Sequence, residues 1–155
     1  MWIRSVCHAC WRPKPLTVIA GVFLLAPLLV GCRPGVQWRL GPYEDARAQA
    51  QAQQRLNFVY FRTWYSVECT RFEEDVLMQP RVVEALRSLV AVPLEYDVDR
   101  DTARRWSITQ VPSFAIVDPS GKVLASAQGV VSADVLLAAI DRAQQKSVQT
   151  PAAPP

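Results

Sequence analysis

Fifteen consecutive residues, Leu16 to Val30, carry no charge and are mostly apolar, and this run constrains the chain more than any other feature. Arg4, Arg12 and Lys14 precede it and Gly31-Cys32 follows it. A helix crossing a bilayer needs about 20 apolar residues, so a run this short, interrupted by Pro27, fits the apolar region of a secretory signal better than a permanent span. Residues 1–31 are therefore expected to be removed and to take no part in the fold, which leaves enough chain for one domain with a single core.

Setting that segment aside changes the charge and sulfur inventories. It holds three of the seventeen Lys and Arg and none of the fourteen Asp and Glu, so the remainder is balanced, and the net charge of +3 gives no argument for nucleic acid. Of four cysteines, Cys7 and Cys10 lie in the signal together with His8, the only histidine. Their Cys-x-x-Cys spacing therefore carries little weight. Cys32 follows the apolar run, and Cys69 is left as the one free thiol, which excludes an internal disulfide. Without histidine, and with Glu95, Asp97, Asp99 and Asp101 reading as solvated strand-end and loop carboxylates, neither a metal nor a cofactor is expected.

The four residues Leu29-Val30-Gly31-Cys32 resemble the bacterial lipobox. That resemblance implies cleavage before Cys32, lipidation of its sulfur and amine, and a domain held on a membrane of the bacterial cell envelope, facing the periplasm or the exterior. Residues 32–42, with two Pro and two Gly around Trp38, read as the lipidated cysteine and a spacer.

Along the remaining chain, Tyr43 to Leu56 is rich in helix formers with a small apolar stripe, which predicts an exposed first helix. Asn57 to Arg62 is aromatic and β-branched, a buried strand. Val67 to Met78 has helical periodicity until Pro80 interrupts it, and a second helical stretch runs through Val82, Val83, Leu86 and Leu89. Val90 to Asp97 is a strand and Asp101 to Trp106 a short helix. Ser113 to Asp118 and Val123 to Gln128 pair across the turn Pro119-Ser120-Gly121-Lys122. A last helix opens after Ser132 as N-cap and buries Val135, Leu136, Ala139 and Ile140. The domain is bounded at 43–146, and 147–155 reads as a disordered tail. This order implies an α/β fold, a three-layer α/β/α sandwich around a central mixed sheet.

Four landmarks in that order resemble the thioredoxin superfamily over residues 43 to 145. They are Phe58-Val59-Tyr60-Phe61 running into Trp64, a helix opening at Cys69 with Phe72-Glu73-Glu74-Asp75-Val76-Leu77, Tyr96-Asp97-Val98-Asp99 at a strand end, and Ile108-Thr109-Gln110-Val111-Pro112-Ser113-Phe114. The nearest likeness is to the C-terminal domain of the transmembrane thiol:disulfide interchange protein. In that superfamily a Trp precedes Cys-x-x-Cys, whose first cysteine is a thiolate activated at a helix N-terminus. Registered on Cys69, this chain has Ser66-Val67-Glu68-Cys69, with Ser66 in place of the nucleophile. Registered on Trp64, Tyr65 falls there instead. Neither alignment supplies a second sulfur, so the resemblance implies a degenerate site.

Val111-Pro112 resembles the superfamily's cis-proline, the alternative being a trans proline starting an edge strand. Its backbone, with Trp64 and Tyr65, is then expected to dock an extended segment of an envelope protein. Cys69 is read either as an inert buried residue or as the thiol of a single-cysteine thiol–disulfide oxidoreductase, with Glu68 and Glu73 expected to oppose its ionisation. Tyr60 stands where many thioredoxins bury an Asp that assists proton transfer.

Overall fold

The computed structural model describes residues 35–149, so the expected signal segment, Cys32 and the last six residues lie outside the described residues. The apolar run Asn57–Arg62 (β1) is buried on both faces because it is central: β2 (Val90–Glu95) lies parallel on one side and β3 (Ser113–Val117) antiparallel on the other. β4 (Val123–Gln128) completes a four-stranded mixed sheet of order β2-β1-β3-β4.

Strand alternation sends Phe58 and Tyr60 to one layer and Val59 and Phe61 to the other. The first layer holds the helical segment after β1, α3 (Pro80–Leu86) and α5 (Ala133–Gln149), with Phe72, Leu77, Leu86, Leu136 and Ile140 in its core. The second holds α1 (Tyr43–Gln53) and α4 (Arg100–Arg105).

Five local outcomes differ from the sequence expectation. α1 is not simply an exposed helix: Tyr43, Ala46 and Ala50 are buried. Alanines add little to an apolar stripe but let a helix backbone approach a sheet closely, and Tyr43 fills the remaining space with its edge on Trp106 at 5.0 Å. The helix expected over Val67 to Met78 changes character midway, as α2 (Val67–Phe72) followed by a π-helical turn (Glu73–Leu77) in which the Met78 amide donates to the Glu73 carbonyl at 3.0 Å. The wider turn leaves both Val76 and Leu77 buried before Pro80 ends the run. Val135, expected in the core, is 46% exposed because it falls off the stripe formed by Leu136, Ala139, Ile140 and Ala143. α5 continues through residues 147–149, where the tail was expected to begin, and the Ser147 hydroxyl donates to the Gln144 carbonyl at 2.7 Å.

Finally, the described part of the spacer is docked. Trp38 bridges Ala91 at the outer edge of β2, the Arg39 amide donates to the Ala91 carbonyl at 2.7 Å, and the indole stacks on Tyr60 with ring centroids 5.9 Å apart. The Val90 and Tyr96 amides donate toward β1, so by parity Ala91 and Pro93 direct their backbone groups outward, and Pro93 has no amide hydrogen there. At the β3–β4 turn Gly121 takes a φ of +97°, a conformation costly for any residue with a Cβ, while Asp118 accepts from the Lys122 amide at 2.9 Å.

Asn57 carries two unsatisfied polar atoms in this frame. It is fully buried on the Val59 and Phe61 face, between Val90 and Val117, and neither its Oδ1 nor its Nδ2 meets a partner among the described residues. Such a group costs about 1–3 kcal/mol, and leucine has nearly the same shape without the polarity. Asn57→Leu is expected to raise stability by about 1–2 kcal/mol. An unchanged or lowered urea midpoint would overturn this.

Candidate functional site

β1 delivers the chain to its C-terminal end at Arg62, where Thr63 to Ser66 form a turn closed by the Ser66 amide donating to the Thr63 carbonyl at 3.3 Å. Ser66 has extended backbone angles and is the N-cap of α2: its Oγ accepts from the Cys69 amide at 3.2 Å and donates to Glu68 Oε2 at 3.0 Å. The helix therefore opens at Val67, two residues before Cys69. The position at its mouth belongs to Ser66 and not to Tyr65, which lies in the turn.

Cys69 is 1% exposed and sits inside the first helical turn. Beneath it the Tyr60 hydroxyl is within reach of the Cys69 carbonyl (3.4 Å) and of Glu73 Oε1 (3.3 Å). Burial, reinforced by Cys69 and Glu73, pushes the phenol well above its ordinary value, so Tyr60 stays protonated. Arg62 joins this cluster by ion pairs to Glu73 at 2.9 Å and Glu95 at 3.3 Å.

Above the helix mouth lies an open groove of about 470 Å³. Thr63, Tyr65, Ser66 and Val67 form one wall, Tyr96 and Asp97 the floor-side loop, and Gln110 and Val111 the opposite wall. Trp64, 78% exposed, stands beside it with its ring edge-to-face against Tyr65 at 5.4 Å. The Val111–Pro112 peptide bond is cis. Pro112 is buried behind Val111, and its carbonyl accepts from the Gly129 amide at 2.7 Å. No backbone hydrogen bond engages the Val111 amide or carbonyl among the described residues.

The structure thus gathers Tyr65, Ser66 and Val111 around one space, with Trp64 at the rim and Pro112 as backing; Cys69 lies below that space, and Cys32 outside the described residues. Residues not singled out from the sequence hold the walls. Gln128, at the end of β4, accepts from the Thr109 amide at 2.9 Å and donates to the Ser107 carbonyl at 2.9 Å, which fixes the loop leading to Val111. A glutamine at a strand end carries no motif that would have revealed this.

Three of the four carboxylates around Asp97 are paired, Asp99 being the exception. Glu95 faces Arg62, Asp101 faces Arg104 at 3.6 Å, and Asp97 accepts from the Tyr65 hydroxyl at 2.6 Å and from Arg100 at 2.8 Å. Those two donors, Tyr65 first, hold the Asp97 carboxyl below the usual carboxylate range. A depressed folded-state value means the contribution is present above the ordinary carboxylate range and is lost as pH falls through the folded value. Tyr65→Phe is expected to shift the Asp97 midpoint upward, read from its side-chain carboxyl resonance during a pH titration. A midpoint that does not move would show that the hydroxyl bond is not made in solution.

A family described as thioredoxin-like matches residues 38–119 of the chain. Among solved structures, a thioredoxin from Thermus thermophilus is 25% identical, with a TM-score of 0.65 over 74% of this chain and 91% of that one. DsbH oxidoreductase is 14% identical with a TM-score of 0.61 over 82% and 95% of the two chains. Fasciola hepatica thioredoxin is 19% identical with a TM-score of 0.53 over 64% and 92%. The latter two likenesses speak to fold alone. No curated protein matches the sequence. The family match spans more than half of the chain, over β1, β2 and β3, the helix mouth and the Val111–Pro112 loop just described, and the chain belongs to the thioredoxin-like family.

Proposed function

We propose that this is a membrane-anchored thioredoxin-like protein of the cell envelope that works in a thiol-redox context by binding an extended protein segment, without an intramolecular dithiol cycle. The observation that carries the reading is the occupancy of the helix mouth: Ser66 Oγ caps α2, and the only thiol of the domain, Cys69, is 1% exposed beneath it. A serine hydroxyl has no accessible anion near neutral pH and forms no disulfide, so the step that begins exchange is missing. The docking surface needs no sulfur. The unpaired backbone of Val111 suits strand-addition hydrogen bonds, and exposed Trp64, Tyr65 and Val67 supply apolar contact.

Exchange through Cys69 alone would require a partner to reach a sulfur under the first turn of α2. The anchor rests on Leu29-Val30-Gly31-Cys32: acyl chains each gain about 0.8 kcal/mol per buried methylene, and three of them hold a protein stably on a bilayer.

The test is an insulin-reduction assay on the full chain, paired with alkylation of Cys69 in the native and urea-unfolded states and mass spectrometry of the membrane-extracted protein. The expected results are no turnover, alkylation only after unfolding, and an acylated Cys32. Turnover, or rapid native alkylation, would restore the single-cysteine enzyme, and an intact N-terminus would remove the anchor.

A further inference from the structure

The groove has a chemical bias that its backbone does not explain. Its lining includes two carboxylates, Glu68 and Asp97, and neither lysine nor arginine. Asp97 is already matched by Arg100 and Tyr65. Glu68 is exposed, with the Ser66 hydroxyl as its hydrogen-bond partner and no ion pair within 4.0 Å among the described residues; its own backbone amide, Ser66 and, more weakly, Arg71 keep the carboxyl below the ordinary range. A carboxylate held in no ion pair therefore stands at the groove mouth.

The opposite bias, an acidic side chain seated on the start of α2, is disfavoured because Ser66 already caps that end and Glu68 already supplies a carboxylate in the first turn. Trp64 and Tyr65 stand edge to face, a geometry that leaves aromatic surface open to an approaching cation.

We infer that the groove selects an extended protein segment bearing a lysine or arginine, whose backbone lies against Val111 and whose cation is held between the Trp64 ring and the Glu68 carboxylate. This rests on the docking function proposed above and adds the class of segment. It assigns specificity to Glu68 and Trp64.

The experiment is fluorescence anisotropy on the full chain in detergent micelles, with three fluorescein-labelled heptapeptides of alternating valine and threonine that differ only in a central lysine, norleucine or glutamate. The lysine peptide is expected to bind about tenfold tighter than the norleucine peptide, and the glutamate peptide weakest. Glu68→Gln and Trp64→Ala, both at exposed positions, should each remove most of the lysine advantage. Equal binding of lysine and norleucine, tighter binding of glutamate, or an order untouched by Glu68→Gln would overturn the inference.

Gln110→Trp, which fills the groove from an exposed position, separates the two levels of argument. Equal binding of all three peptides that this variant abolishes sinks only the cation preference. Absence of binding, or binding indifferent to Gln110→Trp, sinks the docking function as well.

Discussion

Ser66→Cys is expected to convert the helix mouth into a working dithiol and to raise insulin reduction from background by on the order of a hundredfold or more, as an activated thiolate replaces a hydroxyl. The geometry for this is in place. Positions 66 and 69 are the N-cap and third residue of one helical turn, joined by a 3.2 Å bond from the Cys69 amide to Ser66 Oγ. Side chains three apart on a helix lie roughly 5–6 Å apart at Cβ, about 1–2 Å beyond what a disulfide spans, so closing the bond draws the two ends of the turn together. A sulfur at position 66 would sit where unpaired helix amides favour the thiolate, while Glu68 opposes it weakly from the exposed side. The expected variant forms a disulfide under mild oxidants and turns over insulin. Its failure to do either, with the fold intact by circular dichroism, would mean that the mouth lacks more than a sulfur atom.

The second large effect concerns stability. Trp38→Ala is expected to cost about 2–3 kcal/mol, below the 3–5 of a fully enclosed tryptophan because this indole is only part-buried. Its ring covers Phe58 at 6.3 Å and Tyr60 at 5.9 Å, which places an aromatic lid over the centre of β1, and paired aromatic rings contribute about 0.5–1.5 kcal/mol beyond the area they bury. Urea unfolding of the full chain measures it. Trp38→Phe should recover roughly half of the loss. A loss under about 0.5 kcal/mol would be the value of an ordinary surface substitution and would mean that the segment before α1 is not held in solution.

What the sequence made legible follows from the range of the forces involved. β1 was readable to the residue because a central strand is buried on both faces, so its apolar run ends where the sheet ends, at Arg62. The hairpin turn was readable because Asp118, Pro119 and Gly121 each have a local backbone reason to be there. The exposed reading of α1 failed because hydrophobicity undervalues alanine as a means of close approach. The docking of Trp38 was hidden because one aromatic in a Pro/Gly stretch has no periodicity, and its partners Phe58 and Tyr60 are some twenty residues away.

The site divides along the same line. Ser66, Cys69 and Val111-Pro112 stand out by local order and spacing, and the first turn of α2 places Ser66 at its mouth. Thr63, Gln128 and the Tyr65–Asp97 bond depend on how separate loops meet at the end of the sheet. Nothing in the residues flanking Gln128 announces that its amide braces a loop some twenty positions earlier.

The outward parity of Pro93 bears on self-association. An outer strand whose amides face solvent is a template on which a second chain can add, and a crowded surface raises the frequency of such encounters. Here one outward position of β2 is taken by the bond from Arg39, and the next, at Pro93, has no hydrogen to offer. Sheet growth from this side is opposed at two successive positions, by an occupied carbonyl at Ala91 and a missing amide hydrogen at Pro93.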